Sequence, residues 1–251
     1  MSKPYSILFL LTLLIVGCQS GASRWAQIER EGVLRVGLDP TYPPFENLVD
    51  GELEGLDIDL MQQVGDRLGL DVHFDIIGYD GLYDALLTGR VDVLASALIV
   101  DETRTREFAY SEPYFNAGEL LVVRADSQIR DKTDLADRVV AVELGAAGHV
   151  VATEWQNSAE TVQILPLDTA DAALQAVANQ DADAAIINAV SGQIGVVANP
   201  ALQIANPAVT VEPFALVVRS EDGQLLRNLN RVLNQMSETG ALDLLITKWM
   251  R

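Results

Sequence analysis

One arginine stands where an apolar stretch gives way to polar residues, and its position suggests ligand binding. The run Val91–Val100 has the length of a buried strand and ends in small and polar residues. In α/β proteins such a strand presents a ligand at its carboxyl end. The planar guanidinium of Arg104, four residues further on, can grip a carboxylate through two parallel hydrogen bonds. The alternative is a solvated surface charge, which is the usual situation of an arginine.

A second candidate is a glycine-bearing loop, Glu143–Gly148, that follows the predicted strand Val139–Val142 and starts a helix near His149. Backbone N–H groups at the start of a helix form a ready anion site. Taken alone, the loop is weak evidence, because most loops of this kind are ordinary strand-to-helix turns.

Strands and helices that can position these residues alternate along the chain, which is typical of an α/β fold. Asp57 is predicted to cap the second helix, and Asp59 lies in its first turn, where carboxylates are favourable. The main strands are predicted at 33–38, 72–77, 119–124, 139–142, 162–165, 182–188, 203–205 and 214–219, and the main helices at 56–68, 82–88, 149–155, 170–179, 225–238 and 241–249.

The central stretch resembles the signature of the family 3 extracellular solute-binding proteins, the polar amino-acid receptors of ABC importers. The matching positions are Val91-Asp92, Ser96-Ala97, Arg104 and Tyr110-Ser111-Glu112-Pro113-Tyr114. The segments Gly55–Leu60 and Ala182–Asn188 and the ending Lys248-Trp249 are also similar to the family. The resemblance implies a type II periplasmic-binding-protein-like fold, in which two mixed-sheet α/β lobes are joined by two hinge strands.

The resemblance also implies boundaries for the two lobes. Residues 24–113 and 213–251 are expected to form lobe 1, and residues 119–207 lobe 2. The hinges are then residues 114–118 and 208–212.

The ligand site is transferred from the family position by position. An acid and an aromatic in the first binding loop suit a ligand's cationic and apolar parts. A second aromatic stacks on the ligand, Arg104 and the helix start hold its carboxylate, and the remaining positions meet its ammonium group. The resulting ligand-binding residues are Asp39, Tyr42, Tyr79, Ser96, Ala97, Ile99, Arg104, Glu143, Ala146, Ala147 and Asn188.

Two of these positions depart from the family pattern. Ile99 stands where a hydroxyl is usual, and neutral Asn188 stands where an aspartate would balance the ammonium group. Either Asp39 or Glu143 supplies the missing charge and the ligand remains an amino acid, or the ligand is a carboxylate that lacks an amine. We favour the amino acid, because Asp39 and Glu143 would repel a dianion.

Charge and composition exclude several functional classes. The formal net charge of −19 argues against nucleic acid as a partner. His73 and His149 are the only histidines, and neither has a partner at metal-ligand spacing. The sequence therefore predicts neither a metal nor a cofactor.

The amino terminus has the features of an export signal. A lysine and an apolar run of about ten residues precede Gly17-Cys18. Ile15-Val16-Gly17-Cys18 resembles a lipobox, in which Cys18, the only cysteine, becomes lipidated. We expect a signal peptide at 1–17, a tether at 18–23 and a lipid-anchored protein in the periplasm or at the cell surface. The expected protein is a monomer that delivers its ligand to the permease and ATPase of an ABC importer.

Two other functions remain open. An enzyme on the same scaffold, such as the dehydratases that the resemblance includes, would need a general acid or base in the cleft, and Glu143 is the one candidate. A sensory module would report to a separate signalling partner. We predict a binding protein rather than an enzyme.

Overall fold

The computed structural model describes residues 23–158, 161–205 and 208–250, which form fifteen strands and eight α-helices. The strands are β1 (Val33–Leu38), β2 (Thr41–Tyr42), β3 (Glu46–Val49), β4 (Glu52–Glu54), β5 (Asp71–Ile76), β6 (Val93–Leu94), β7 (Phe108–Tyr110), β8 (Phe115–Asn116), β9 (Glu119–Arg124), β10 (Val139–Glu143), β11 (Gln163–Leu167), β12 (Ala184–Asn188), β13 (Leu202–Ala205), β14 (Pro213–Phe214) and β15 (Val217–Arg219). The helices are α1 (Arg24–Glu31), α2 (Leu56–Leu68), α3 (Leu82–Leu87), α4 (Ala147–Asn157), α5 (Ala170–Ala178), α6 (Ala189–Ala198), α7 (Gly223–Glu238) and α8 (Ala241–Trp249).

The first five-stranded sheet has the order β5-β1-β6-β15-β7, and with its helices we call it lobe 1. β1 runs parallel to β5 and β6, whereas β15 runs antiparallel to β6 and β7. In α2, the residues Leu56, Leu60 and Val64 recur every four positions and are fully buried. This apolar stripe packs the helix into the core of lobe 1, together with α7 and α8.

The second five-stranded sheet has the order β11-β10-β12-β9-β13, and with α4, α5 and α6 we call it lobe 2. β10 is parallel to β11 and β12, while β9 is antiparallel to β12 and β13. The continuous apolar run Leu120–Val123 of β9 is buried, as expected of a strand covered on both faces.

Two short strands connect the lobes. β8 and β14 pair in antiparallel fashion, with Phe115 opposite Phe214. The ring of Phe45 meets both of these rings edge to face, at centroid distances of 5.0 and 5.1 Å. The two crossings therefore lie side by side and pack on lobe 1.

The sheets bring several polar residues to matching edges. Asp39 follows β1, Ser96 follows β6, and Glu143 and Asn188 end β10 and β12. Because β9 is antiparallel, its first residue, Glu119, lies at the same edge of lobe 2 and is paired with Asn188. We call these the ligand edges, since carboxyl ends of parallel strands form binding crevices in such folds.

The opposite edge of lobe 1 carries a buried acid, Asp92. Arg35 donates to it from Nε and Nη2, each at 3.0 Å, and from its backbone N–H at 3.1 Å. Arg24, the first residue of α1, also donates to Asp92 through Nε. The ion pairs fasten α1 to the start of the sheet.

The predicted α/β fold with two mixed sheets joined by crossing strands is confirmed. Three features differ from the sequence expectation. The proline-rich loop continues into a three-stranded sheet, β2-β3-β4, and α6 was not predicted. Asp57 does not cap α2, because Gly55 occupies the N-cap position and the Asp57 side chain is fully buried.

The predicted signal peptide and Cys18 lie outside the described residues. Within the described residues, none of the helices combines the length and the apolar character that crossing a bilayer requires.

Candidate functional site

A cavity of about 890 Å³ opens at the ligand edge of lobe 1. It is large enough for a small metabolite. Its walls contain seven of the predicted site residues, namely Asp39, Tyr42, Tyr79, Ser96, Ala97, Ile99 and Arg104. The other lining residues are Thr41, Glu46, Asp80, Tyr83, Asp84, Val100, Asp101, Glu102 and Phe214.

Arg104 is held in the cavity by aromatic rings. Its guanidinium carbon lies 3.8 Å from the ring centroid of Tyr83 and 4.8 Å from that of Phe108. Such cation–π contacts orient the guanidinium plane and leave its N–H groups available. Its side chain makes no ion pair or hydrogen bond with any residue that the structure describes. The arrangement suits a carboxylate ligand.

Asp39 links two loops of the cavity wall. Its Oδ2 accepts a hydrogen bond of 2.8 Å from the backbone N–H of Tyr79. The side chains of Tyr79 and Tyr42 are 61% and 50% exposed, so both rings are free to stack on a ligand. Ile99, with 49% exposure, adds an apolar surface and pairs through its backbone with Phe214.

Below the cavity floor lies a pair of buried carboxyl groups, Glu46 and Asp57, that the sequence did not reveal as a pair. Ser96 Oγ donates to Glu46 Oε1 at 2.9 Å and accepts from the N–H of Asp39 at 3.0 Å. Asp57 Oδ2 accepts from the N–H of Ala97 at 2.8 Å. Tyr114, beside β8, donates its hydroxyl to the same oxygen at 2.9 Å.

The surroundings of this pair favour a proton shared between the two carboxyl groups. Burial and the neighbouring charge of Asp57 raise the pKa of Glu46, and burial raises the pKa of Asp57. Glu46 Oε2 and Asp57 Oδ1 are the buried oxygens left without another partner. A proton held between Glu46 and Asp57 satisfies both oxygens and keeps one negative charge out of the interior.

Ala97 turns the chain at the cavity floor in a conformation that is unusual for alanine. Its φ of 45° lies in the left-handed region, which costs a non-glycine residue about 1 kcal/mol. The hydrogen bond from its N–H to Asp57 holds it there. Strain of this kind is concentrated at functional sites.

The four predicted residues of lobe 2 are not brought to the cavity. Glu143 ends β10, Ala146 is the N-cap residue of α4, and Ala147 is its first residue. No side chain caps α4, so its first N–H groups are not used by a capping group. Asn188 instead caps α6, since its Oδ1 accepts from the N–H of Ser191 at 3.0 Å.

The sequence reading missed Glu119. It begins β9, its next four residues are apolar, and it is only 6% exposed. An acid that directly follows a glycine at the start of a buried strand is the signal that was available in the sequence.

No group of histidine, cysteine, aspartate and glutamate side chains within the described residues is arranged to hold a metal ion.

Comparison with known proteins identifies close similarity along almost the whole chain. The family model described as bacterial extracellular solute-binding proteins, family 3, matches residues 34–251. The probable amino-acid-binding protein YxeM of Bacillus subtilis (strain 168) is 26% identical over 98% of this chain and 95% of its own length.

Solved structures add information on conformation. The L-cystine solute receptor of Neisseria gonorrhoeae, in its unliganded open conformation, is 26% identical and superposes with a TM-score of 0.76 over 91% of this chain and 97% of the receptor. An ancestral arginine-binding protein bound to arginine is 30% identical, but its TM-score is 0.51, over 87% and 98% of the chains. An ancestral cyclohexadienyl dehydratase is 26% identical with a TM-score of 0.77, over 92% and 97%. The chain as a whole therefore superposes better on the open receptor than on the arginine-bound protein.

Proposed function

This chain belongs to the family 3 bacterial extracellular solute-binding proteins, and we propose that it captures an amino acid or a related amine-bearing compound for an ABC importer. In this proposal, the two lobes close on the ligand by hinge motion. The closed form then delivers the ligand to a membrane permease that is driven by an ATPase.

The observation that carries the proposal is Arg104. Its guanidinium lies over Tyr83 in a cavity with two exposed tyrosines, and no described residue forms a salt bridge with it. A carboxylate bound there would gain two charge-assisted hydrogen bonds. The aromatic rings of Tyr42 and Tyr79 would cover the rest of the ligand.

Hinge closure explains why the predicted site is divided between two edges. The cavity is formed by lobe 1 and the crossing residue Phe214. The other predicted residues lie at the ligand edge of lobe 2, namely Glu143, Ala146, Ala147 and Asn188. Similarity to the unliganded open receptor supports this interpretation. We propose that residues 24–113 with 213–251, and residues 119–207, move as units about hinges at 114–118 and 208–212.

The proposal extends to the location of the protein. We propose an exported monomer that is anchored through a lipid on Cys18, in line with the extracytoplasmic members of its family. Labelling of cells with a radioactive fatty acid tests the anchor. The label should enter the wild-type protein and should be absent from the Cys18→Ala variant.

The first experiment is a thermal-shift screen of the purified protein against the twenty amino acids and against small carboxylic acids. A ligand at about 100 times its Kd adds about 2.7 kcal/mol to the free energy of unfolding, which raises the melting temperature clearly. Titration calorimetry should then show at least about thirtyfold weaker binding for Arg104→Ala, because a buried charge pair is lost.

Arg106→Ala is the matched control for this experiment, since Arg106 is exposed and lies outside the cavity. It should bind as the wild type does. If only acids that lack an amine stabilise the protein, its ligand belongs to that class and is not an amino acid. Equal affinities of Arg104→Ala and wild type would refute the proposed site.

The similarity to an ancestral dehydratase favours a second candidate function, elimination of water from a cyclohexadienyl acid. Glu143, at the ligand edge of lobe 2, would then act as the general acid or base. Incubation of the protein with such acids, followed by chromatography, tests this function. Turnover by the wild type that is lost in Glu143→Gln would establish the dehydratase function. Substrate that remains unchanged would refute it.

A further inference from the structure

Glu119 begins β9 at the ligand edge of lobe 2. It is paired directly with Asn188 in the ladder between β9 and β12. Side chains of directly opposite residues project from the same face of a sheet and lie next to each other. A carboxylate on Glu119 therefore stands beside the position at which the family has an aspartate and this chain has an asparagine.

The Glu119 side chain is largely buried at the ligand edge of lobe 2. Only 6% of the residue is exposed, and no hydrogen bond from the described part of the chain reaches its carboxyl group. Its Oε2 points at the first turn of α4, where a Cβ atom built on Gly148 would be 2.8 Å away. The carboxyl group thus lies between the start of α4 and the end of β12.

The charged groups that act on Glu119 are themselves acids. Burial, followed by the charges of Glu212 in the second hinge and Glu143 at the end of β10, raises its pKa to about 7. His149 on α4 is the nearby imidazole, and its Nδ1 accepts a hydrogen bond from the N–H of Gly145. No lysine or arginine among the described residues forms an ion pair with Glu119, so a cationic group brought close to it would stabilise its charged form.

Lobe 1, like the surroundings of Glu119, presents mainly negative charge to a ligand. The cavity is lined by six acidic residues, one of which is the buried Glu46, and by one basic residue, Arg104. A ligand with a single carboxylate for Arg104 and at least one cationic group is complementary to both lobes.

We propose that Glu119 binds the α-ammonium group of the ligand when the lobes close, in place of the carboxylate that Asn188 lacks. The assignment rests on the proposed function as an amino-acid receptor. In this assignment, Arg104 of lobe 1 binds the ligand's carboxylate, and lobe 2 supplies the acid that binds its ammonium group. Asp39 and Glu143, the acids at the loop ends, are then free to interact with the ligand's side chain.

The test uses two probes. The first is the amino acid that stabilises the wild-type protein most among the twenty, and the second is its 2-hydroxy acid, in which a hydroxyl group replaces the ammonium group. By titration calorimetry, Glu119→Gln should bind the amino acid at least about thirtyfold more weakly than wild type. The same variant should bind the 2-hydroxy acid as the wild type does, because no ammonium group is present.

A second variant moves the charge to the opposite strand. Glu119→Gln combined with Asn188→Asp should recover most of the affinity for the amino acid, and aspartate can still cap α6. Glu154→Gln removes an exposed charge from α4 and is the control, which should bind both probes normally. The unliganded Glu119→Gln protein should melt no lower than wild type, because the substitution removes a buried charge without a partner.

Dependence on pH separates binding from a structural role. With a pKa of about 7 for Glu119, the affinity for the amino acid should rise about tenfold from pH 6 to pH 8, as the ionised fraction increases. The affinity of Glu119→Gln should stay flat over this range, although His149, Glu143 and Glu212 are still present.

Three results would overturn the proposal. If Glu119→Gln binds the amino acid as tightly as the wild type does, Glu119 does not bind the ammonium group, and the receptor function is unaffected. Equal losses for the amino acid and its 2-hydroxy acid would show that Glu119 does not recognise the ammonium group. Absence of any amino-acid binding by the wild type would overturn the receptor function and this assignment together.

Discussion

The two ligand edges are built differently. In lobe 1, Asp39, Ser96, Glu46, Asp57 and Ala97 are joined by hydrogen bonds of 2.8 to 3.0 Å. In lobe 2, no hydrogen bond from a described residue reaches the carboxyl group of Glu119, and no side chain caps α4. One edge is therefore organised without a ligand, whereas in the proposed receptor the other edge would obtain its partners when a ligand binds.

This difference suggests an order of events in binding. A preorganised surface loses little conformational entropy on binding, so the ligand should meet lobe 1 first. Lobe 2 has unused donors on α4 and an acid without a partner, and the ligand stabilises both when the lobes close. Closure is then driven by differential affinity of the closed state for the ligand.

The largest expected effect is on the stability of lobe 1. Asp57→Ala leaves the Tyr114 hydroxyl and the Ala97 N–H buried without an acceptor, and should lower the free energy of unfolding by about 3 kcal/mol. Urea denaturation measures the loss. Asp66→Ala, an exposed position on the same helix, is the control and should change little. If both variants are equally stable, the edge of lobe 1 is not held by this network.

The next effect is the dependence of stability on pH. Folding raises the pKa of both Glu46 and Asp57, so the pair stabilises the protein below the ordinary pKa of a carboxyl group. This stability is lost as the pH rises through the raised values, at no more than about 1.4 kcal/mol per pH unit for each proton. The melting temperature should therefore fall from pH 5 to pH 9.

Glu46→Gln is the variant that isolates this effect. Its amide can donate to Asp57 and accept from Ser96 as the protonated acid does, without titrating. The fall in melting temperature should then be smaller, and the remainder should reflect Glu119 below about pH 7. A pH profile identical to that of the wild type would argue against the shared proton.

The smallest expected effect is in lobe 2. Asn188→Ala removes the N-cap of α6 and should lower the free energy of unfolding by about 1 kcal/mol. Asn188→Ser keeps a capping oxygen and should retain most of that stability. If Asn188→Ala lowers the free energy of unfolding by several kcal/mol, side-chain hydrogen bonds stabilise lobe 2 as strongly as lobe 1.

Much of the fold could be predicted from local patterns in the sequence. The alternation in Val33–Leu38 and the apolar run of β9 gave correct strands, because burial leaves a clear periodicity. The short strands β2, β3 and β4 and the helix α6 were missed. They lack such periodicity and depend on contacts that form only in the folded protein.

The site was predictable in part. Arg104, Tyr42 and Tyr79 were proposed because their residue types suit ligand binding and because their positions match a family signature, and all three line the cavity. The pairing of Glu46 with Asp57 could not be predicted, since no sequence pattern shows that two acids eleven positions apart become buried together. Glu119 was missed because only the antiparallel direction of β9 brings the start of that strand to the ligand edge.

The attachment of α1 also places the amino-terminal end of the described chain away from the cavity. The helix is fastened through Arg24 and Asp92 to the end of the sheet where β1 begins, and the cavity opens where β1 ends. The six residues of β1 separate the two ends by roughly 20 Å. A force applied to α1 is thus transmitted to a buried ion pair at the end of lobe 1 opposite the cavity. The cavity and the beginning of α1 therefore lie at opposite ends of lobe 1.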